Sequence, residues 1–225
     1  MSGILKPEDP DVAAVSQWMQ NRPDTQSVAQ FKPGPGIQKL SLGFDIIELR
    51  KALQQCLDNV GYQGAMQSEG FAAIPVTQRP GQTEWTENDL SGRYWIRGDD
   101  RYIEEPREDL VAEEQFSELN PALAGTYFET VYRELKNRFP IGRVRILSKP
   151  QYNCNSWHRD PEPRLHIPLV SNPGSLFVVN HHVTHLPADG SVYFTDTRGY
   201  HTAFNGGDHH RVHLVAALAF EQITS

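Results

Sequence analysis

The sequence has few cysteines, no long apolar run and no excess of basic charge. Its two cysteines, Cys56 and Cys154, allow one disulfide at most and form no CxxC unit, so we expect free thiols. No apolar stretch approaches the roughly 20 residues that span a bilayer, and the acidic, proline-broken start MSGILKPEDPDV is unlike a signal peptide. We therefore expect a cytoplasmic protein with no membrane partner.

Basic charge is also too scarce for a nucleic-acid partner. The formal net charge is -7 at pH 7 and no basic run is present, so attraction to phosphate is weak. The 225 residues are 38% hydrophobic and 22% charged, which is the composition of a globular protein with a substantial core. One domain over 1–225 is the simplest expectation.

Two segments carry the apolar spacing of amphipathic helices. The first is 45–61, where Asp45 is placed to cap the helix and Gly61 to end it. The second is 120–139, where Asn120 is placed as the cap. Both are predicted to pack on a larger structure.

Short segments rich in Val, Ile, Leu and aromatic residues dominate the chain after Pro140. Their spacing is typical of an all-β sandwich or barrel, and the Asp189-Gly190 pair predicts a hairpin turn. We predict a mainly β fold with added helices, a double-stranded β-helix of the jelly-roll, cupin-like type. Residues 1–139 form its helical and irregular part with some strands, and 140–225 its core. The predicted strands are 71–77, 143–148, 164–170, 175–181, 191–196 and 211–220.

Polar residues alternate with apolar ones along two of these strands. In 164–170, Arg164 and His166 point to the face opposite Leu165, because successive side chains alternate across a sheet. The segment 211–217 repeats the pattern with Arg211 and His213. Two interpretations remain open: a polar face in solvent, or a barrel with a polar, ligand-binding interior.

All nine histidines lie in the C-terminal third, and the spacing of two of them suggests a metal site. His158 is separated by one residue from Asp160, His201 follows, and Arg211 comes ten residues after that histidine. Two imidazoles and one carboxylate hold Fe(II) on one side and leave positions open for a 2-oxo acid and O2. A guanidinium nearby suits the distal carboxylate of that acid. The HxD pattern alone is weak, since most single histidines are surface or core residues.

At these residues the sequence resembles the aspartyl/asparaginyl β-hydroxylase family of Fe(II)/2-oxoglutarate oxygenases, and more loosely the bacterial proline 3-hydroxylases. The resemblance covers 145–160, 164–170 and 193–215. It implies a jelly roll in which His158 and His201 bind iron. It further implies that Arg211 pairs with the distal carboxylate of 2-oxoglutarate, with Ser148 as a weaker candidate for the same carboxylate, and that Arg164 and His166 lie against the cosubstrate carboxylates.

The presence of Asp160 is a departure from the animal β-hydroxylases, whose corresponding site has two histidines and lacks the acid. With Asp160 present, the sequence predicts a complete triad of metal ligands. The predicted activity is hydroxylation of an unactivated C–H bond of an amino acid, free or within a peptide, of the Asp/Asn or Pro type, using Fe(II), 2-oxoglutarate and O2. Two alternatives stay open: a cupin-like metalloenzyme that does not use 2-oxoglutarate, and a non-catalytic jelly-roll binding protein. The oligomeric state is not predicted.

Three other features are interpreted as structural. The segment 181–185, HHVTH, is predicted to be a solvated loop, and Asn205 is predicted to close a turn. Trp157 is predicted to be a packing residue, with a place in the pocket wall as the alternative.

Overall fold

A computed structural model of the protein describes residues 9–20, 34–61, 72–92, 95–97, 104–106, 111–180 and 182–219. Within these ranges the helices are α1 Pro10–Met19, α2 Ile46–Asn59, α3 Glu87–Ser91 and α4 Tyr127–Arg138, with 3-10 turns at Glu113–Gln115 and Pro121–Leu123. The strands are β1 Ile37–Gly43, β2 Ala72–Pro75, β3 Thr77–Gln78, β4 Trp95–Arg97, β5 Glu104–Pro106, β6 Glu118–Leu119, β7 Ile141–Lys149, β8 Asn153–Cys154, β9 His158–Arg159, β10 Arg164–Val170, β11 Ser175–Val179, β12 His182–His185, β13 Ser191–Thr195, β14 His201–Asn205 and β15 Arg211–Leu218.

Most strands form two antiparallel sheets. The main sheet has the order β1-β13-β10-β15-β7-β2. The second sheet has the order β12-β11-β14-β9-β4-β5, and β8 also pairs with β14. Strands that follow one another in the chain commonly lie in different sheets, which is the winding of a double-stranded β-helix. The predicted mainly β jelly roll is therefore confirmed.

The outer face of the main sheet carries the hydrophobic core. Leu165, Ile167 and Leu169 are fully buried and belong to one cluster with apolar residues of α1, α2 and α4. The alternate positions Arg164 and His166 are buried as well, so they do not face solvent. The interpretation of a barrel with a polar interior is the correct one.

The predicted helix over 45–61 is confirmed by α2. Asp45 caps it, because its side chain accepts hydrogen bonds from the backbone N–H groups of Ile47 at 2.8 Å and Glu48 at 3.3 Å. The helix ends at Asn59, and Gly61 follows with a φ of +68° and donates its N–H to the Cys56 carbonyl. Glycine takes that left-handed conformation at no steric cost.

The predicted continuous helix over 120–139 is wrong in its first turn. Asn120 does cap a helix, but only the short 3-10 turn, and its side-chain amide donates to the Pro75 carbonyl at 2.9 Å. That bond fixes Asn120 to β2, and Gly125 with a φ of +76° changes the chain direction before α4 begins. A contact between residues far apart in sequence thus overrides the local helical pattern.

Two predictions about the region between β11 and β13 are also wrong. The residues from 182 of the predicted loop form β12, which pairs with β11. Asp189 does accept a turn hydrogen bond from the Ser191 N–H, but the flanking strands β12 and β13 lie in different sheets, so no hairpin forms there. Phe71, His181 and Phe220, at the ends of predicted strands, lie outside the described residues.

Both cysteines have free thiols: Cys56 is buried in the helical layer and Cys154 is exposed. Among the helices within the described ranges, none has the length and apolar character needed to cross a membrane.

Leu135→Ala tests the packing of α4 on the main sheet. Leu135 is fully buried, so the substitution is expected to lower the free energy of unfolding by about 2 to 5 kcal/mol through lost burial and a residual cavity. Ile47→Ala is the matched control, since Ile47 is 71% exposed and its truncation is expected to change stability by about 0.5 kcal/mol or less. Urea unfolding measures both, and equal losses would contradict the assignment of the core.

Candidate metal centre

The three predicted metal ligands are brought together where β9 and β14 lie side by side in the second sheet. His158 in β9 and His201 in β14 are directly opposite partners in the antiparallel pairing, and their ring centroids lie 4.2 Å apart. Asp160 follows β9, and its N–H donates to the Thr197 carbonyl at 2.8 Å. One ligand atom from each of the three side chains lies within 4.8 Å of the others.

Backbone carbonyls orient both imidazoles. Nδ1 of His158 lies 2.7 Å from the Ser156 carbonyl, and Nδ1 of His201 lies 3.1 Å from the Gly199 carbonyl. Because a carbonyl oxygen only accepts hydrogen bonds, each Nδ1 carries a proton, and in the neutral imidazole the lone pair is then on Nε2. The Nε2 of His201 lies 3.5 Å from Oδ2 of Asp160, so the lone pair and the carboxylate point to the same space.

Electrostatics keep His201 and Asp160 in the protonation states that metal ligands require. Burial lowers the pKa of His201 to about 3, with a further contribution from His158, so its imidazole is neutral at pH 7. Burial alone would raise the pKa of Asp160, but Arg164 and the two imidazoles lower it to about 2. A neutral nitrogen pair and one carboxylate with open positions is the donor set of non-haem Fe(II) sites, so the residues present fit that ion.

Arg164 holds the carboxylate of the triad. Its Nε donates to Oδ2 of Asp160 at 2.7 Å, and both side chains are buried. Burial acts to lower the pKa of Arg164, but the adjacent Asp160 raises it above its usual value, so the pair is fully ionised. Arg164 therefore orients a predicted metal ligand, a role that the sequence did not indicate.

A cavity of about 390 Å³ lies between the two sheets beside the triad. Strands β7, β10 and β15 of the main sheet and β9, β11 and β14 of the second sheet contribute to its wall. The predicted residues that border it are His158, Asp160, His201, Arg164, His166, Arg211 and Ser148.

Arg211 is a buried cation without a carboxylate partner among the described residues. It begins β15, its guanidinium lies 5.6 Å from the Phe177 ring centre, and it contacts both ring nitrogens of His213, at 3.1 and 2.8 Å. Burial lowers the pKa of Arg211 to about 10, so it remains charged at neutral pH. The predicted position beside the cavity fits a group that binds an anion.

His166 has a ring nitrogen without a hydrogen-bond partner, whereas the Ser148 hydroxyl has one. His166 is buried, its Nδ1 lies 3.4 Å from Nδ1 of His213, and its Nε2 has no hydrogen-bond partner. Burial, followed by the charge of Arg211, lowers the pKa of His166 well below 6.5. The Ser148 hydroxyl is 2.9 Å from Nδ1 of His210, so it already has a partner.

Sequence reasoning missed Lys149, which lies directly opposite Arg211 in the β7–β15 pairing. It borders the cavity, and its Nζ donates to Oδ1 of Asn153 at 2.9 Å and to Oδ1 of Asn155. Alternation along β7 places Arg145 on the same face. The period of two in this strand could therefore have indicated that Lys149 and Arg145 both face the cavity.

Of the two residues predicted to be structural, Asn205 agrees with the prediction and Trp157 does not. Asn205 closes the turn as predicted, since its Oδ1 accepts from the Gly207 N–H at 3.2 Å and its Nδ2 donates to the His209 carbonyl at 2.8 Å. Trp157 is 48% exposed and is not a core-packing residue, so that prediction is wrong.

The sequence matches no protein-family model and no curated protein, but the structure matches solved ones. An oxidoreductase of the 2OG-Fe(II) oxygenase family from Burkholderia pseudomallei matches with a TM-score of 0.50 at 16% identity, covering 85% of this chain and 87% of that one. A prolyl-4-hydroxylase from Pseudomonas putida matches with a TM-score of 0.45 at 11% identity, covering 86% of this chain and 95% of that one. The first likeness shows that the protein shares the jelly-roll fold of that structure.

Lys149→Met tests the burial of the Lys149 ammonium. Burial and the nearby Arg211 lower its pKa from 10.5 to about 8, so between these values the unfolded chain binds more protons than the folded protein. This group therefore makes the wild type more stable as pH rises from about 8 to 10.5. The variant lacks that gain, so its stability relative to the wild type is expected to fall across this range. Urea unfolding measures it, and a constant difference would contradict the burial.

Proposed function

We propose that the protein is an Fe(II)- and 2-oxoglutarate-dependent dioxygenase that hydroxylates an unactivated C–H bond. The observation that carries the proposal is the convergence of His158, Asp160 and His201 beside a cavity whose wall also contains the buried cation Arg211. The triad alone suits several metals. The buried guanidinium on the same cavity is the feature that favours a 2-oxo acid as the second ligand.

The three ligand side chains would hold the metal without filling its coordination sphere. Nε2 of His158, Nε2 of His201 and one oxygen of Asp160 are the atoms available to it. When bound, Fe(II) and 2-oxoglutarate supply the oxidation, in which O2 and 2-oxoglutarate yield succinate, CO2 and a hydroxylated carbon. The chain itself fixes the two imidazole rings through backbone carbonyls and keeps Asp160 ionised through Arg164.

Arg211 is assigned to the distal carboxylate of 2-oxoglutarate. Its guanidinium is buried, charged and without a carboxylate among the described residues, and a carboxylate accepts two parallel hydrogen bonds from such a group. His166 offers an Nε2 without a partner on the same cavity, which suits a further contact to the cosubstrate. Ser148 is the weakest member of this predicted set, because its hydroxyl is bonded to His210.

The substrate is proposed to be an amino acid, free or within a peptide, with an Asp/Asn- or Pro-type side chain. This rests on the resemblance of 145–160, 164–170 and 193–215 to the aspartyl/asparaginyl β-hydroxylases and proline 3-hydroxylases. The same proposal places the enzyme in the cytoplasm, in keeping with the two free thiols.

His158→Ala is the test of the metal site. Removing one of three protein ligands is expected to abolish stoichiometric Fe(II) binding and, with it, succinate release from 2-oxoglutarate. His209→Ala is the control, because His209 lies in an exposed turn away from the triad. Metal content after anaerobic loading and dialysis is the measurement, and an unchanged content in His158→Ala would end the proposal. No tight metal binding by the wild type would favour a non-catalytic jelly-roll binding protein.

Arg211→Met tests the cosubstrate. Loss of one partner of a desolvated charge pair is expected to weaken 2-oxoglutarate binding by about 2 to 5 kcal/mol, while Fe(II) content stays unchanged. Arg133→Met, which removes an exposed cation of α4, is expected to leave both unchanged. The 2-oxoglutarate concentration for half-maximal succinate release measures the effect. If it does not change, a cupin-like metalloenzyme that does not use 2-oxoglutarate becomes the better description.

A further inference from the structure

Besides Nε2 of His166, two buried polar atoms of residues on the cavity wall have no hydrogen-bond partner. They are Nε of Arg145 in β7 and Oγ of Ser91 at the end of α3. The residues are 3% and 8% exposed, so water does not satisfy these atoms as it would at the surface. A buried polar group without a partner costs about 1 to 3 kcal/mol, more if it is charged, and native proteins keep few of them.

Arg145 is also a cation without an acidic partner. Among the described residues, the charged groups on the cavity wall are the cations Arg145, Lys149, Arg164 and Arg211 and a single carboxylate, Asp160. Arg164 forms the ion pair with that carboxylate, whereas Arg145 forms no ion pair with a carboxylate of the residues that the structure describes. Burial and the nearby Arg164 and Arg143 lower the pKa of Arg145 to about 9, against the opposing effect of Glu113 and Asp160, so it stays charged at neutral pH.

Arg145 lies apart from the group assigned to 2-oxoglutarate. In the β7–β15 pairing Arg145 is opposite Val215, while Lys149 is opposite Arg211. Four residues of strand separate the two positions, which is about 13 Å at the usual rise. Arg145 therefore lies near the middle of this strand pair, whereas Arg211 lies at its end.

The short helix α3 holds Ser91 against Arg145. Thr86 and Asp89 form a reciprocal capping box, and Asp89 is tied to Arg79 by an ion pair at 2.9 Å. The Leu90 carbonyl, at the other end of α3, accepts a hydrogen bond from Nη1 of Arg145. The next residue is Gly92, where a Cβ would lie 3.1 Å from Nη2 of Arg145. The end of α3 thus encloses the guanidinium. Ser91 and Arg145 together form a corner of the cavity wall, and Nε of Arg145 and Oγ of Ser91 have no hydrogen-bond partner there.

We propose that Arg145 and Ser91 bind a carboxylate group of the substrate. A guanidinium N–H and a hydroxyl are two donors for the two oxygens of one carboxylate, and the ion would compensate a buried positive charge. The substrate class is then a small carboxylic acid or an amino acid held by its acid group, with its reacting carbon between this corner and the triad. The inference rests on the proposed function and names the substrate class of the same site.

The test is direct binding of a defined panel. The probes are L-proline, L-aspartate and L-asparagine, each as the free acid and as its α-carboxamide, titrated by calorimetry into metal-free protein and into protein with Fe(II) and 2-oxoglutarate without O2. At least one acid is expected to bind. A preference for the free acid over its α-amide identifies a main-chain carboxylate, and a preference for aspartate over asparagine in both forms identifies a side-chain carboxylate.

Three variants assign the binding to the corner. Ser91→Ala removes a hydroxyl that has no partner in the folded protein, so folding is expected to be preserved and binding to weaken by about three- to tenfold. Arg145→Met is expected to weaken binding by about thirtyfold or more, and Arg145→Lys to restore part of it. Arg133→Met is the surface control and should bind as the wild type does.

Two outcomes would overturn the inference: unchanged affinity in both Ser91→Ala and Arg145→Met, or no binding of any acid of the panel to the wild type. These results are separable from the proposed function. Carboxylate binding that depends on Arg145 in a protein that binds no Fe(II) would sink the function and keep the subsite. Normal Fe(II) content and 2-oxoglutarate saturation with carboxylate binding independent of Arg145 would do the reverse.

Discussion

The buried ion pair between Arg164 and Asp160 is the interaction on which the site depends. Arg164 belongs to the main sheet and Asp160 follows a strand of the second sheet, so the pair links the two halves of the jelly roll. Burial without the guanidinium would favour a protonated Asp160, which is a poor metal ligand. The hydrogen bond of 2.7 Å thus helps to keep the carboxylate ionised and sets its direction.

A consequence of this design is an interior that is positively charged and therefore costly to fold. Arg145, Lys149 and Arg211 are buried cations whose charge no carboxylate among the described residues neutralises at close range. Burial lowers the pKa of all three, because removing a charged group from water costs free energy. The stability that offsets this penalty comes from the other side of the main sheet, where apolar residues of the strands and helices form one cluster.

Much of the fold and of the metal site could be predicted from the sequence, because both depend on local patterns. The period of two in 164–170 and 211–217 gave the strands and their polar face, and the spacing of His158, Asp160 and His201 gave the triad. The break before α4 was missed, because a bond from Asn120 to the Pro75 carbonyl causes it. The corner of Ser91 and Arg145 was missed for the same reason: 54 positions of sequence separate the two residues, and only the packing of α3 on β7 brings them together.

The alternation in β10 has a consequence for how the chain finds its fold. A slip of one position in its pairing with β13 or β15 would turn Leu165 and Ile167 towards the polar cavity. The same slip would bury Arg164 and His166 in the hydrophobic core between the main sheet and the helices. Such a state would lose the ion pair and the hydrophobic contacts in a single step. One face of these seven residues thus borders the site and the other forms part of the core, so a change of register would disrupt both at once.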